Sequence, residues 1–410
     1  MEGAAPTDGV PWFDVTGPDF AITSAAVHAA RERSWYARTE YGLAVLRHAE
    51  TEELLKHPLL RQGSVSWLAR NGVTEGPLAD WWASWVLHQE GAEHRRLRRL
   101  MNPAFSARAA TALLPRFRAL AGELTDVFAD RGGCEFVAEF AEPYAARVIA
   151  VLLGLPEPEW PVVARESGVL GLAMTVNVRR DLDRIERALA ALYAYADELI
   201  ADRRRRERDD FVSRLVRAGG PAADRGRDRD RDRLSDAELR DGLVLLIFGG
   251  FDTTRNQLGL ALRTFARHPA QWRLLAERPE LGAAAAEEVM RVNPTVRWIT
   301  REALADFTFQ GLDIPAGTTV QLWSESAGTD PRAHGPYSFD ITAERAPHFG
   351  FGGGVHHCLG HFVARGDMAE ALPVLARRLR DLRIGEGAVQ LPDSGNTGPV
   401  RLPLLFTPAP

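Results

Sequence analysis

Ten residues near the C-terminus, Phe351 to Gly360, read FGGGVHHCLG and set one cysteine at the end of a glycine-rich loop, just ahead of a stretch of helical pattern. Glycines at Gly352, Gly353 and Gly354 let the backbone take positive φ and lie close against a flat object. Cys358 then emerges near a helix N-terminus, where amide dipoles favour a thiolate. A thiolate held that way suits a haem iron.

Two other chemistries use the same residue types. His348, His356, His357, Cys358 and His361 could form a zinc cluster. Consecutive ligand candidates cannot all point at one ion on a regular backbone, however, and no second Cys/His pair lies at finger-like spacing. The glycines alone would also suit a phosphate-binding loop, but no GK[ST] follows them.

The chain has 410 residues, 45% apolar and 26% charged, so a large packed core is within reach without disulfides. Its two cysteines, Cys134 and Cys358, are too few for a disulfide framework, and Cys134 in RGGCEFVAEF reads as a small buried hydrophobe. Residues 1–20 lack a basic segment followed by an apolar one, so a secreted protein is not expected. The longest apolar run, Leu243 to Phe251, is well short of the roughly 20 residues that span a bilayer. A net charge of −5 gives no reason to expect nucleic acid as a partner. Lys56 is the sole lysine among 50 basic residues.

Apolar residues recur at three- and four-residue steps over Ala109–Ala129, Pro143–Leu153, Leu182–Arg206 and Asp236–Arg267, which predicts a mainly α fold. Short strands are expected at Gly42–Leu46, Thr318–Trp323 and Val400–Leu405. No flexible linker divides the chain, so residues 1–410 read as one domain, interrupted by a solvated Arg/Asp-rich loop over about 218–234. Ser235 and Glu238 form a capping box that starts the longest helix. Gly249, Gly250, Phe251, Asp252, Thr253 and Thr254 sit near its middle; the paired glycines weaken the helix, and Thr253 can turn its hydroxyl back to the Gly249 carbonyl. Glu288 and Arg291 share a helix face ahead of Pro294. In HRRLRR, residues 94–99, His94 and Arg98 share a face, with Arg95 and Arg99 on a neighbouring one. The imidazole of His94 and the guanidinium of Arg98 suit carboxylate partners.

Taken together, these motifs resemble those of the cytochrome P-450 superfamily of haem-thiolate monooxygenases, in its soluble bacterial form. Phe351, Gly352, Gly354, His356, Cys358 and Gly360 match every fixed position of that family's cysteine loop, and the other three motifs follow in its order and spacing, from about Glu90 to Arg365. The resemblance implies a single large domain, mainly α with small β-sheets. It also implies one haem b with Cys358 as its protein ligand, and O₂ as co-substrate. Thr253 and Asp252 would handle oxygen and protons beside Gly249. His94, Arg98, Arg301 and His356 would hold the haem propionates, and Phe351 and Gly360 would frame the loop. Glu288 and Arg291 would buttress that loop, with the family's third basic position falling here on Ser338. In EGAEH, Glu90 opens the stretch where the family's more usual DPPEH stands, a difference expected to touch a helix start only. Trp81, Trp82 and Trp85, with Val296 and Arg297, fall in segments that contact substrate in the family. They suggest an aromatic substrate with a polar anchor.

Electrons would come from a separate ferredoxin-type donor, docked on Arg95, Arg96 and Arg99. The protein would be a cytoplasmic monomer that binds a small-molecule substrate. Two further readings are oxidative coupling of aromatic rings on the same fold, and a haem-binding sensor without turnover. Asp252 and Thr253 argue against the sensor, which needs no proton relay. Replacing Cys134 by alanine should leave the reduced carbon monoxide spectrum of the haem-loaded protein unchanged.

Overall fold

The computed structural model describes residues 9–17, 19–219, 233–391 and 396–409, so most of the expected Arg/Asp-rich loop lies outside the described residues. Ten helices carry the argument: α1 His48–Leu55, α2 Pro77–Ser84, α3 Gly91–Met101, α4 Ala107–Asp126, α5 Glu142–Leu153, α6 Trp160–Leu170, α7 Leu182–Arg205, α8 Asp236–Arg267, α9 Gly282–Val292 and α10 His361–Arg378. Helix dominates, as the periodicity predicts.

Helix α8 begins where expected. The Ser235 hydroxyl accepts from the Glu238 amide, and the Glu238 carboxylate accepts from the Ser235 amide. Buried residues then occur all round it, from Leu243, Ile247 and Phe251 on one face to Asn256, Leu260 and Thr264 on the other. A helix buried on every side runs through the interior. It packs on α5, α6, α7 and α9. Helix α4 starts two residues earlier than the periodicity suggests, because the Ser106 side chain caps the Ala109 amide.

Six strands form the larger sheet: β1 Trp12–Phe13, β2 Tyr36–Thr39, β3 Gly42–Val45, β4 Leu60–Gln62, β6 Trp298–Ala303 and β7 Thr319–Trp323, in the order β1-β2-β3-β7-β6-β4. Trp298 faces Trp323, and Arg301 faces Val320, across the antiparallel β6/β7 pair. A three-stranded sheet joins β5 Gly133–Glu135, β8 Leu379–Ile384 and β10 Pro403–Pro408, with β10 in the middle. The strand expected at Val400–Leu405 is in fact two, β9 Pro399–Arg401 and β10. The break falls at Leu402, whose amide donates to Glu135 Oε1 at 2.6 Å and so leaves the β9 ladder. Cys134 sits in β5 opposite Leu404, and burial pushes its thiol up to about 12, as suits an inert small side chain.

Two helices behind the cysteine loop approach backbone to backbone. A Cβ added to Gly282 at the start of α9 would lie 2.3 Å from the Ala369 carbonyl oxygen on α10. Helix α1 ends beside the same loop: a Cβ on Gly353 would meet Leu55 Cδ1 at 3.0 Å. The next residue, Lys56, is exposed and pairs with Glu52 at 2.9 Å. Alanine at Gly282 gains helix propensity of about 1 kcal/mol, but main-chain atoms cannot rotate away from the added methyl. Gly282→Ala should therefore destabilise the protein by roughly 1–3 kcal/mol in denaturant unfolding.

Candidate active site

The cysteine loop is shaped by its own backbone. The Gly352 amide donates to Phe349 O at 2.8 Å, and the Cys358 amide donates to Phe351 O at 2.9 Å. Gly352 and Gly354 take φ of 69° and 68°, the left-handed region that favours glycine. Gly353, expected to share that role, is extended at φ −170°, and a side chain there would crowd the end of Leu55, with a Cβ 3.0 Å from its Cδ1. Cys358 opens onto a cavity of about 420 Å³. The protein packed behind it pushes its thiol up, against the Gly360 amide and the charges of Arg98 and Arg365. The helix start alone, then, does not make the bare thiol a thiolate. Arg365 lies 4.5 Å from the Phe351 ring centroid and bonds Glu287 at 2.6 Å, which fixes the ring beside the loop.

At one corner of the cavity the structure gathers His94, Arg98, Arg301 and His356, all among its lining residues. The rings of His94 and His356 are 4.3 Å apart. Burial, with His356 and Arg98 close by, pushes His94 down to about 4. Arg98 donates to His357 O at 3.0 Å, while Arg301 donates to Thr300 O at 3.2 Å and Gly353 O at 3.5 Å. Arg301 is 3% exposed, and burial lowers it to about 10. A buried guanidinium group, Arg301, and a half-buried one, Arg98, are thus held by carbonyls. Glu90 is the carboxylate that reaches this corner, at 3.2 Å from His356 Nε2 and 2.9 Å from the Gln62 amide. It was expected to touch only a helix start, but the start of α3 abuts the loop and brings Glu90 into the cluster. The surplus of cations over carboxylates fits a flat group that carries carboxylates of its own.

Helix α8 forms the opposite wall. Thr253 Oγ1 donates to Gly249 O at 2.7 Å, as the sequence suggests. Its two glycines differ in role. A Cβ on Gly249 would meet nothing within 4 Å, whereas one on Gly250 would lie 2.4 Å from Ile149 Cδ1. Gly249 therefore leaves open space, and Gly250 allows α5 to pack closely. Asp252 is 2% exposed, and burial raises its pKa against the charge of Arg255 and the bonds from Asn396 and Asn256.

Glu288 and Arg291 form a bidentate pair on α9, with both contacts at 2.7 Å. The third basic residue, expected to be missing at Ser338, is Arg345. Its Nη2 lies 3.3 Å from Glu288 Oε1 and donates to Ser338 Oγ at 2.7 Å. Ser338 keeps the place in the chain while a residue seven positions on brings the charge.

The substrate-side residues divide. Trp82, Trp85 and Val296 line the cavity with Phe248 and Ile299. Trp81 is not among the lining residues; it is 1% exposed and donates to Asp241 O at 3.3 Å. Arg297 is not a cavity anchor either. It is 2% exposed and donates to Asn293 Oδ1 and Pro294 O at 3.0 and 3.1 Å, which ties down its own turn. Arg96, expected on a docking face with Arg95 and Arg99, is engaged by Glu93, Glu238 and the Arg233 carbonyl. Arg95 and Arg99 share a shallow depression with His94, Arg98, Asn102, Pro103 and Val355.

The cytochrome P450 family model matches residues 172–397. Luteothin monooxygenase of Streptomyces thioluteus is 37% identical over 401 residues, covering 97% of this chain and 96% of that protein. Mycinamicin IV hydroxylase/epoxidase of Micromonospora griseorubida is 37% identical over 78% of this chain and 79% of its own. Among solved structures, CalO2 superposes with a TM-score of 0.83 at 30% identity, over 95% of this chain and 99% of that one. CxnD, described as the P450 for C–S bond formation in chuangxinmycin biosynthesis, superposes with a TM-score of 0.83 at 27% identity, over 99% and 100%. With Cys358 facing a threonine-bearing helix across one cavity, and with relatives of this coverage, the chain belongs to the cytochrome P450 family and is a monooxygenase of the haem-thiolate class.

Proposed function

We propose that the chain holds one haem b between α8 and the Cys358 loop and oxidises a small, at least partly aromatic organic substrate of specialised metabolism. The observation that carries this reading is the placement of Cys358 and the carboxylate-poor His94–Arg98–Arg301–His356 corner on one cavity, with Gly249, Asp252 and Thr253 across it. Cys358 would supply the thiolate, the metal overriding the upward push of burial on the free thiol. Arg98 and Arg301, with His94 and His356, would take the propionates, and Phe351 and Gly360 would hold the loop against the ring.

Bound there, haem supplies the reductive activation of dioxygen and the transfer of one oxygen atom to substrate. The chain's own residues do the rest. Gly249 keeps space open beside α8. The Thr253 hydroxyl, held on the Gly249 carbonyl, is ready to turn toward oxygen as a donor, and Asp252, its neighbour on α8, would pass it protons. Trp82, Trp85 and Phe248 exclude water and offer flat apolar faces on which an aromatic substrate would stack. The names of the relatives support a specialised-metabolite substrate. Electrons would arrive from a separate ferredoxin-type protein at the Arg95 and Arg99 face. The protein would work as a cytoplasmic monomer. Among the described residues no helix is long and apolar enough to cross a membrane.

The first test is spectroscopic. Reduced protein under carbon monoxide should show the red-shifted Soret band of thiolate ligation; Cys358→Ser should abolish that band, and a histidine-type spectrum from fresh wild-type protein would end the assignment. Labelled dioxygen then separates oxygen insertion from oxidative coupling: one labelled atom in the product supports the first, and none with dehydrogenation supports the second.

Thr253→Ala should leave the carbon monoxide spectrum and ligand-induced Soret shifts intact, since the hydroxyl matters only once oxygen is present. Electron flow should shift from product to peroxide, with product per electron falling about tenfold or more. Unchanged coupling would mean that protons travel by another route.

A further inference from the structure

Three side chains converge on the Asp252 carboxylate. Oδ1 accepts from Arg255 Nη2 at 3.3 Å, and Oδ2 accepts from Asn256 Nδ2 at 3.2 Å and Asn396 Nδ2 at 2.5 Å. Arg255 and Asn256 are α8 neighbours of the acid. Asn396 comes from the segment ahead of β9, 144 residues along the chain. It is 5% exposed and is itself a cavity-lining residue.

The same amide faces two ways. Thr295 Oγ1 lies 2.8 Å from its Oδ1 and 2.6 Å from Thr397 O, so one hydroxyl proton serves both acceptors, and the Asn396 backbone forms an antiparallel bridge with Val296 on the cavity wall. Its neighbours leave it little freedom. The Thr397 amide donates to Thr295 O at 2.9 Å, and a Cβ on Gly398 would lie 2.5 Å from Asn256 Cβ. On the other side of the acid, Arg255 reaches Glu142 Oε1 on α5 at 3.4 Å, and Glu142 is part-exposed. A Cβ on Gly171, just past α6, would lie 2.7 Å from Asp252 Oδ1, so the acid has close packing overhead.

We propose that Asn396 is a positioning residue for proton delivery: its N–H fixes one oxygen of Asp252, so that a proton arriving along the Glu142–Arg255 side is handed on toward Thr253. This rests on the reading of Asp252 as the proton-passing acid. Arg255 and Asn256 travel with α8 and cannot orient the carboxylate relative to the cavity wall. Asn396 can, because Thr295 and the Val296 bridge tie it to that wall. The proton is taken up and released at the Asp252 carboxylate, and Asn396 keeps both of its own.

The test uses full-length, haem-loaded protein with NADPH, a plant-type ferredoxin and its reductase, and no added substrate. Hydrogen peroxide per NADPH is measured across pH in H₂O and D₂O for wild type, Asn396→Leu, Asn396→Asp and Asp252→Asn, with the carbon monoxide band as the folding check. Asn396→Leu should keep the band and raise peroxide yield about threefold, a small share of the roughly 10²–10⁴ that a positioned acid or base contributes, with an altered solvent isotope effect. In Asn396→Asp two carboxyls face each other beside Arg255 and, through it, Glu142. At low pH they share a proton and the variant should behave as wild type; at high pH both ionise, repel, and give the yield of Asn396→Leu.

Wild-type yields at every pH from both Asn396 variants would overturn the proposal, as would a flat pH profile from Asn396→Asp if Asn396→Leu fails to hold haem. An unchanged yield from Asp252→Asn would overturn the reading of Asp252 itself. A raised yield there with silent Asn396 variants would remove Asn396 alone.

Discussion

The buried Glu288 carboxylate is the point on which the architecture around Cys358 turns. Burial alone would raise its pKa, yet the bonds from Arg291, the Asp340 amide and Arg345 hold it below the usual carboxylate range. Arg291 in turn donates to the carbonyls of Gly328 and Ser338, both at 2.7 Å. One short helix face thus fixes Gly328, Ser338, Asp340 and Arg345 along the chain that leads to the cysteine loop. Such a pair adds little net stability over an apolar substitute, but removing one partner leaves a buried charge and costs about 3–5 kcal/mol. Because the carboxylate is depressed in the folded state, its contribution is present at neutral pH and is lost as acid protonates it.

The loop so held has electrostatics that are incomplete without a ligand. Arg98 and Arg301 point into the corner with carbonyl partners, and Glu90 is the carboxylate that reaches it, through His356. Burial lowers both His94 and Arg301; at His94 the neighbouring His356 and Arg98 add to it, while at Arg301 Glu90 works against it. An anionic group entering here meets donors already positioned and gains from the charge it neutralises.

How much of this the sequence disclosed follows from the range of each interaction. The cysteine loop, the capping box and the Thr253–Gly249 bond join residues within ten positions, so their chemistry is written in adjacent letters. The Glu288–Arg291 pair was legible for the same reason. Arg345 was not, since it meets Glu288 from 57 residues away and hides behind a serine at the expected position. Asn396 gives no local signal at all: an asparagine in a glycine-bearing turn reads as turn chemistry until the turn is packed on α8. Trp81 and Trp82 are adjacent, and helical spacing alone could not say that one would face the core and the other the cavity. Arg297 read as a substrate anchor because its partners lie in a turn whose geometry the sequence does not specify.

Lys56 closes α1 beside the glycines of the cysteine loop and is the sole lysine in the chain. Amine-directed chemistry, the α-amino group aside, therefore has one address on the whole surface. A surface or electrode coupled through that side chain would hold every molecule in one orientation, with the cysteine-loop side toward the support. Electron transfer from such a film would report on a single geometry, which a protein with scattered lysines cannot offer.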